Sequence, residues 1–273
     1  GGAMQSFRYV PGRSVLHSLN PSIKLLTITL VMVAITFIFD VATPLAFFVL
    51  TVAAMLTLGR LSPSRVLRSL VPFLLIALGF VVLNTIFHRP LATETLLFSL
   101  GPLMISWEGL EIGLSIGLRV LFLVSTSLLF VATTDPQELV LSLVQQARLG
   151  YKLAFALLVA YRFVPLFAEE YANIRAAATV RGIGRDRGLF ARVKSLRRDA
   201  VPLLASAIRR SERLAIAMDS RAFGAFPTRT YRKTMKVTTR DWLFFFGGLG
   251  LSAALLAVLV ATGLTRGIGV LFQ

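Results

Sequence analysis

From residue 25 to residue 58 the chain is almost unbroken in apolar side chains, interrupted by Asp40 and Pro44. One helix of that length would overshoot a bilayer, whose hydrocarbon core is crossed by about 20 residues. Asp40 and Pro44 therefore mark a tight turn between two membrane spans, 25–39 and 41–58. Residues 59–65 read as a polar loop, and a third span follows over 70–87, where Asn84 is expected to hydrogen-bond to a neighbouring helix. Residues 88–108 form a longer loop with Pro90, Pro102 and Trp107. A fourth span covers 110–133 and a fifth 242–262, the latter opened by Trp242. Both tryptophans suit a membrane–water interface.

Between the fourth and fifth spans the pattern changes. Thr134-Asp135-Pro136-Gln137-Glu138 is a helix start, with Thr134 or Asp135 as cap, proline in the first turn and acidic side chains at the positive end of the dipole. A short amphipathic helix runs from it to Ala147, and Gly150 breaks it. A long helix is expected over 151–180, with apolar residues at Leu153, Ala156, Leu157, Ala160, Phe163, Val164, Phe167, Tyr171, Ile174 and Ala178. That is the stripe of an amphipathic helix. Lys152, Arg162, Glu169, Glu170, Asn173 and Arg175 fall off it, and Pro165 should bend it. Gly182, Gly184 and Gly188 make a basic turn. A second long helix is expected from Asp199 to Arg221, with Pro202 in its first turn. Its stripe is Leu204, Ala207, Ile208, Ser211, Leu214, Ala215 and Met218, with Arg209, Arg210 and Arg213 off it. Both stripes are rich in alanine, which lets backbones approach closely, so the two helices should cross on each other. Apolar surface left over would face the membrane or a partner.

Composition agrees with a membrane. Of 273 residues 56% are apolar and 15% charged, with mean hydropathy +0.76, where soluble domains run near 45–50% apolar and about 25% charged. The net charge is +16, and residues 145–240, with 20 Lys/Arg against 6 Asp/Glu, carry +14 of it. Such a charge suits nucleic acid, anionic lipid or an acidic protein partner. In a membrane protein it first marks the cytoplasmic side. With five spans, Arg8, Arg13 and Lys24, then Arg60, Arg65 and Arg68, then the 145–240 segment all fall on one side. Asp40, His88, Arg89, Glu94 and Glu108 fall on the other, which places the N-terminus in the cytoplasm. The cluster Arg185, Arg187, Arg192, Lys194, Arg197 and Arg198 would face headgroups or solvent.

Catalytic motifs are absent. No phosphate loop, H-E-x-x-H or G-x-S-x-G occurs, and Gly182-Ile183-Gly184 lacks a preceding strand. Without cysteine, disulfides and thiolate metal sites are excluded, and His17 and His88 are too far apart in sequence to suggest a metal site. The chain is therefore read as not itself catalytic and without a metal or cofactor of its own. Any ATP would be bound by a partner. Arg119 lies inside the fourth span and would snorkel or pair with Glu111. Gly1-Gly2-Ala3 and Val270-Leu271-Phe272-Gln273 look like cloning remnants, and no cleavable signal pattern precedes Met4.

The informative pair is at the ends of the two long helices. One ends in Thr179-Val180-Arg181-Gly182-Ile183-Gly184, the other in Asp219-Ser220-Arg221-Ala222-Phe223-Gly224. Arginine followed by glycine is also ordinary C-capping. The arrangement nevertheless recurs 40 positions later on an equivalent helix, and a guanidinium on a rigid tip can fork onto carboxylates of another protein.

These helix ends resemble the two signature motifs of the transmembrane (T) component of energy-coupling factor (ECF) transporters, the family that includes the cobalt and biotin T components. The stretch from Tyr9 through His17, Asn20 and Pro21 to Lys24 is similar to that family's opening pattern, Ser-x-Leu-His-x-Leu-Asp/Asn-Pro-x-x-Lys. Thr134-Asp135-Pro136 resembles the start of its first coupling helix, and Tyr161-Arg162-Phe163-Val164-Pro165 the Arg-Phe-x-Pro of its second. Val180 stands where the first signature usually has alanine, and Ser220 and Ala222 flank the second arginine. The likeness spans residues 7–242.

The resemblance implies an all-α polytopic protein of the prokaryotic plasma membrane (the bacterial inner membrane), with about five transmembrane helices. A cytoplasmic coupling domain of two long crossing amphipathic helices and one short one would complete it. Its parts would be an N-terminal cytoplasmic segment at 1–24, spans at 25–133, coupling helices at 134–240, a last span at 241–265 and a tail at 266–273. It implies a scaffold coupling two ABC-type ATPases, which hold ATP and Mg, to a separate membrane S component that binds a vitamin or transition-metal ion. Arg181, Gly182, Arg221, Ala222 and Gly224 would dock the ATPases, and Arg162 and Pro165 would serve the lever or its hinge. His17, Asn20, Pro21 and Lys24 carry the N-terminal motif. The alternative is a membrane-tethered binder of nucleic acid or anionic lipid through the basic segment, with steep salt dependence. Aromatic residues do not interleave with that segment's charges, so nucleic acid is not an expected partner. An intramembrane enzyme would need convergent titratable groups at membrane depth, and Arg119 alone does not supply them.

Overall fold

A computed structural model describes residues 12, 14–38, 40–88, 96–100, 103–147, 149–182, 189–226, 231 and 233–263, with 96–100, 103–105 and 189–197 as backbone alone. Gly1-Gly2-Ala3, Arg8, residues 9–11, Arg13, Arg89, Pro90, Glu94, Pro102, the turn at 183–188 and residues 270–273, all singled out above, lie outside the described residues. So do the side chains of Arg192, Lys194 and Arg197.

The described elements are α1 (Val15–Ser18), α2 (Pro21–Thr36), α3 (Ala42–Thr57), α4 (Pro63–Phe87), β1 (Leu96–Leu100), β2 (Leu103–Ser106), α5 (Trp107–Thr133), α6 (Pro136–Gln146), α7 (Tyr151–Val180), α8 (Leu189–Asp219) and α9 (Thr239–Ala261). Two compact units result, Gly1–Ser142 with Met235–Gln273, and Leu143–Thr234. The all-α reading holds, with one addition. The loop expected over 88–108 contains an antiparallel hairpin of β1 and β2.

In the first unit, α4 packs along α5 and α5 along α3, while α2 lies against α9. The α4–α5 approach depends on two glycines one turn apart. A Cβ on Gly113 would come within 2.8 Å of the Val81 carbonyl oxygen, and one on Gly117 within 2.7 Å of a Val81 methyl. Small residues four apart let membrane helices touch backbone to backbone. Leu16, Leu19, Ile28, Met55, Leu61, Val66, Leu70, Leu128 and Leu129 form the main buried cluster.

Helices α4, α5, α7 and α9 are long and apolar enough to cross a membrane, and α2 and α3 are shorter apolar helices of 16 residues. The five expected spans are thus all helices, and α7 meets the same length and composition criterion. Span edges shift outward where caps decide them. Pro21 and Pro63 sit at the first helical position, which tolerates a missing N–H. Asp135 accepts the Gln137 N–H at 2.8 Å and is the cap of α6.

Two side chains sit differently from expectation, and a third has a partner that the sequence did not name. Among the described residues Asn84 donates to the Phe80 carbonyl one turn back at 2.9 Å and to no neighbouring helix. Arg119 hydrogen-bonds the Ile38 carbonyl in the α2–α3 turn, a main-chain oxygen 81 residues away. That turn is also held by Thr43 donating to the buried Asp40 carboxylate and Ser115 donating to the Asp40 carbonyl, each at 2.7 Å. Finally, α8 begins at Leu189, ten residues before Asp199, and Pro202 lies in its interior. Asp199 is not a helix start but a buried carboxylate, 3.3 Å from Arg198 and 3.7 Å from Arg175 of α7.

In the second unit α7 and α8 pack together and run antiparallel. Arg175 meets Asp199, Glu170 meets Arg210 at 3.5 Å, and Phe223 just beyond α8 meets Tyr151 and Phe155 at the start of α7. Only part of each apolar stripe is covered in this chain. Phe163 and Phe167 are half-buried, whereas Leu157, Val164, Leu204 and Ile208 are exposed.

Candidate functional site

The two helix tips share one backbone construction. Helix α7 ends at Arg181, with Gly182 at φ +71° and its N–H bonded to the Thr179 carbonyl at 3.0 Å. After α8, Arg221 is followed by Ala222 at φ +52°, whose N–H bonds the Asp219 carbonyl at 2.9 Å. The Phe223 N–H then reaches back to the Met218 carbonyl at 3.0 Å, closing the paired bonds of a Schellman cap. Each arginine therefore occupies the last half-helical position before a left-handed residue. Gly224, the candidate glycine of the second tip, is also left-handed at φ +94° but lies two residues past the cap.

Ala222 is the strained member of the pair, since a left-handed residue with a Cβ costs roughly 1–2 kcal/mol. Gly182→Ala is expected to destabilise by about 1 kcal/mol, and Ala222→Gly to stabilise by about 0.5 kcal/mol after the extra unfolded-state entropy of glycine. Thermal unfolding of the full chain reads both. A change of the same sign at the two positions would contradict the shared cap.

Arg181 and Arg221 are exposed, and neither makes a hydrogen bond or ion pair among the described residues. They stand at opposite ends of the antiparallel pair. Phe223 is level with Phe155, and the 26 residues from Phe155 to Arg181 span about 40 Å at 1.5 Å per residue. One small acidic site cannot take both guanidinium groups, whereas two separate sockets can.

The tips differ in what anchors them. Phe223 sits 4.7 Å from the Phe155 ring and 5.8 Å from Tyr151, and the Tyr151 hydroxyl donates to the Phe226 carbonyl at 2.9 Å. The sequence reading missed this clamp. Its signal was the apolar residue directly after the cap, the usual companion of a Schellman turn. It also missed the ties at the crossing, Asp199 to Arg175 and Glu170 to Arg210, the latter with the Arg210 guanidinium 5.9 Å from the Phe163 ring centroid. Arg162 is exposed on α7, and Pro165 lies inside that helix, between the aromatic clamp and the Glu170–Arg210 pair.

The N-terminal motif belongs to the first unit and has another character. The Asn20 side chain caps α2 by accepting the Ser22 N–H at 3.1 Å, and its own N–H donates to Asp241 at 2.7 Å. Pro21 is the first residue of α2. Lys24 is 1% exposed and donates to the Thr133 carbonyl at 3.0 Å, the Thr134 hydroxyl at 3.1 Å and the Thr133 hydroxyl at 3.4 Å. An ammonium has three donors, and all three are used. His17 bonds Ser14 at 2.6 Å. Asn20 and Lys24 thus clasp the start of α2 to the start of α9 and the end of α5 within the first unit.

Comparison with known proteins gives a consistent result. The family described as Cobalt transport protein (CbiQ) matches residues 12–232. The chain is 32% identical over 94% of its length to the energy-coupling factor transporter transmembrane protein EcfT of Thermosediminibacter oceani, of which it covers 93%. It is 31% identical over 86% of its length to the EcfT of Bacillus subtilis, of which it covers 90%. It is also 28% identical over 91% of its length to a putative ABC transporter ATP-binding protein of Bifidobacterium longum, covering 32% of that longer protein.

Proposed function

The chain belongs to the Cobalt transport protein (CbiQ) family and is a multi-pass membrane component of an ECF transporter, and on that premise we propose that it is the scaffold through which two partner ATPases drive a separate substrate-binding membrane subunit. The observation that carries this is the repeated tip: the same cap and the same exposed arginine, unpaired among the described residues, at opposite ends of one antiparallel helix pair. Two like sockets about 40 Å apart fit two like ATPase subunits. The Bifidobacterium longum relative supports the association, because a protein named for ATP binding contains this chain's likeness in about a third of its length.

In this reading the ATPases hold ATP and Mg, and this chain holds neither. Arg181 and Arg221 each fork onto acidic groups in one ATPase groove, with Gly182 and Ala222 letting the chain turn away from the socket. The α7–α8 pair lies on the cytoplasmic side, as does the N-terminus, because Lys152, Arg162, Glu169, Glu170 and Arg175 are costly at bilayer depth. When ATP closes the ATPase pair, the sockets move, and two stiff rods tied by Asp199–Arg175 and Glu170–Arg210 turn that movement into a change of crossing geometry. Pro165 is the bend and Arg162 the charge beside it. Such a lever works only if the sockets grip differently in the two ATPase states. The exposed apolar stripes of α7 and α8 would meet the S component, whose cargo is a vitamin or a transition-metal ion.

Co-expression tests the reading. The full chain is expected to co-purify with two ABC-type ATPase subunits and, in proteoliposomes with a vitamin- or metal-binding S component, to support uptake only when ATP is supplied. A folded chain that retains no ATPase across a panel of such subunits would end the proposal.

A further inference from the structure

In the first unit α3 and α9 leave a groove between them, with α2 and α5 as its floor. Its volume is about 430 Å³, and Val31, Leu50, Phe122, Leu129, Leu243 and Leu251 are among its walls. Hydroxyls that line it are already engaged, Thr126 with Thr51 and the others by their own helices. Thr27 donates to Ile23, Thr51 to Phe47 and Ser252 to Gly248, each at 2.8 Å. The groove thus asks for hydrocarbon and offers a polar ligand almost nothing.

One end of the groove is basic. Arg240, Leu243, Gly247 and Leu251 recur at the spacing of a single helix face, so Arg240 stands one turn beyond the last lining residue of α9. On α3 the lining ends at Leu58, and Arg60 follows at φ +50°. Both arginines are exposed, and neither makes a hydrogen bond or ion pair among the described residues. A hydrocarbon slot at span depth, with an exposed arginine just beyond each wall at one end, fits an acyl chain that carries a phosphate.

The lining runs from Leu243 to Ser252 on α9 and from Phe47 to Leu58 on α3, so the slot is elongated along the helices, about 14 Å on the α9 side at 1.5 Å per residue. We propose that this groove holds one acyl chain of an anionic phospholipid, with its phosphate taken by Arg60 and Arg240.

Native mass spectrometry of the detergent-purified full chain, titrated with phosphatidylglycerol or phosphatidylethanolamine, tests this. One phosphatidylglycerol per chain is expected. Its preference over phosphatidylethanolamine should be about five-fold per guanidinium, or about 25-fold in all. Gly247→Leu should remove the tight adduct. A Cβ there meets nothing within 4 Å, so the side chain enters open space and the fold should tolerate it. Ala53→Leu on the facing wall should do the same and stands in if the first variant fails to fold. Arg60→Gln with Arg240→Gln should keep the adduct and equalise the two lipids. The proposal is overturned if either filling variant folds and retains the lipid, or if the wild type binds both lipids equally. It is equally overturned if glycerol 3-phosphate competes as well as the lipid, or if a Gly247→Cys chain cross-links to a partner helix in the assembled complex.

Discussion

A chain carrying Arg181→Glu together with Arg221→Glu is expected to reach the membrane folded and to lose its ATPase partners. Both guanidinium groups are exposed and unpaired among the described residues, so nothing in the described fold depends on them beyond their place at a helix C-terminus. A carboxylate there opposes the dipole by about 0.3–1 kcal/mol, which a multi-helix chain can absorb. In a socket the balance is different. Truncating one partner of a buried, hydrogen-bonded charge pair costs about 2–5 kcal/mol, and reversal adds repulsion. Each single variant should therefore weaken association by at least about 30-fold, and the pair should abolish it. The comparison is with Arg209→Glu and Arg213→Glu, which make the same change in net charge on exposed positions of α8 away from the tip. Those should leave association within about three-fold, because distant exposed charges act through screened steering. Equal loss in the two double variants would mean that the basic face attracts the ATPases and the tips do not dock them.

Much of this was legible in the chain, and the reason differs from element to element. Helix α7 is bounded at Tyr151 and Val180 as the sequence implies, because Gly150 and the Arg181-Gly182 cap are local signals. The start of α8 is not where Asp199 and Pro202 suggest, because a tertiary contact wins. Asp199 is spent on Arg175 of the neighbouring helix, so the local start signal is false. Arg119 shows a related limit. Its bond to the Ile38 carbonyl joins it to a turn 81 residues away, which no local pattern encodes. The close α4–α5 contact could have been read from Gly113 and Gly117, whose four-residue spacing is a packing signal.

At the tips the arginines were visible and the cap at Ala222 was not. Alanine rarely takes a left-handed conformation, so Ala222 and Gly224 both stood as candidates, and only the hydrogen bonds of residues 222 and 223 identify Ala222 as the equivalent of Gly182. The N-terminal motif was visible as a pattern, yet its job depends on partners 109 to 221 residues away, which no local pattern encodes. It also means that two groups of residues carrying the family likeness do separate work. One group presents charge outward, and the other closes the bundle.

The closing group yields the largest expected loss of stability. Asp241 is 2% exposed and accepts three hydrogen bonds at 2.7 Å, from the Asn20 N–H, the Thr238 N–H and the Thr238 hydroxyl. It therefore caps α9 and ties that helix to the start of α2. Asp241→Ala strands two main-chain donors, each worth about 1–3 kcal/mol when left unsatisfied, and removes a carboxylate from a helix N-terminus. The expected cost is about 3–5 kcal/mol in equilibrium unfolding of the detergent-solubilised chain. Asp241→Asn keeps one carbonyl oxygen and should recover about half of that loss, since its amide must turn a donor toward one of the two N–H groups. Thr238→Ala removes the hydroxyl that donates to the Asp241 carboxylate and accepts the Asp241 N–H, and should cost about 1 kcal/mol. The order Ala, Asn, then Thr238→Ala is the signature of a clasp made by two acceptor oxygens. Should Asp241→Ala fall within 1 kcal/mol of the wild type, α9 is held by its apolar contacts with α2 and the polar tie is incidental.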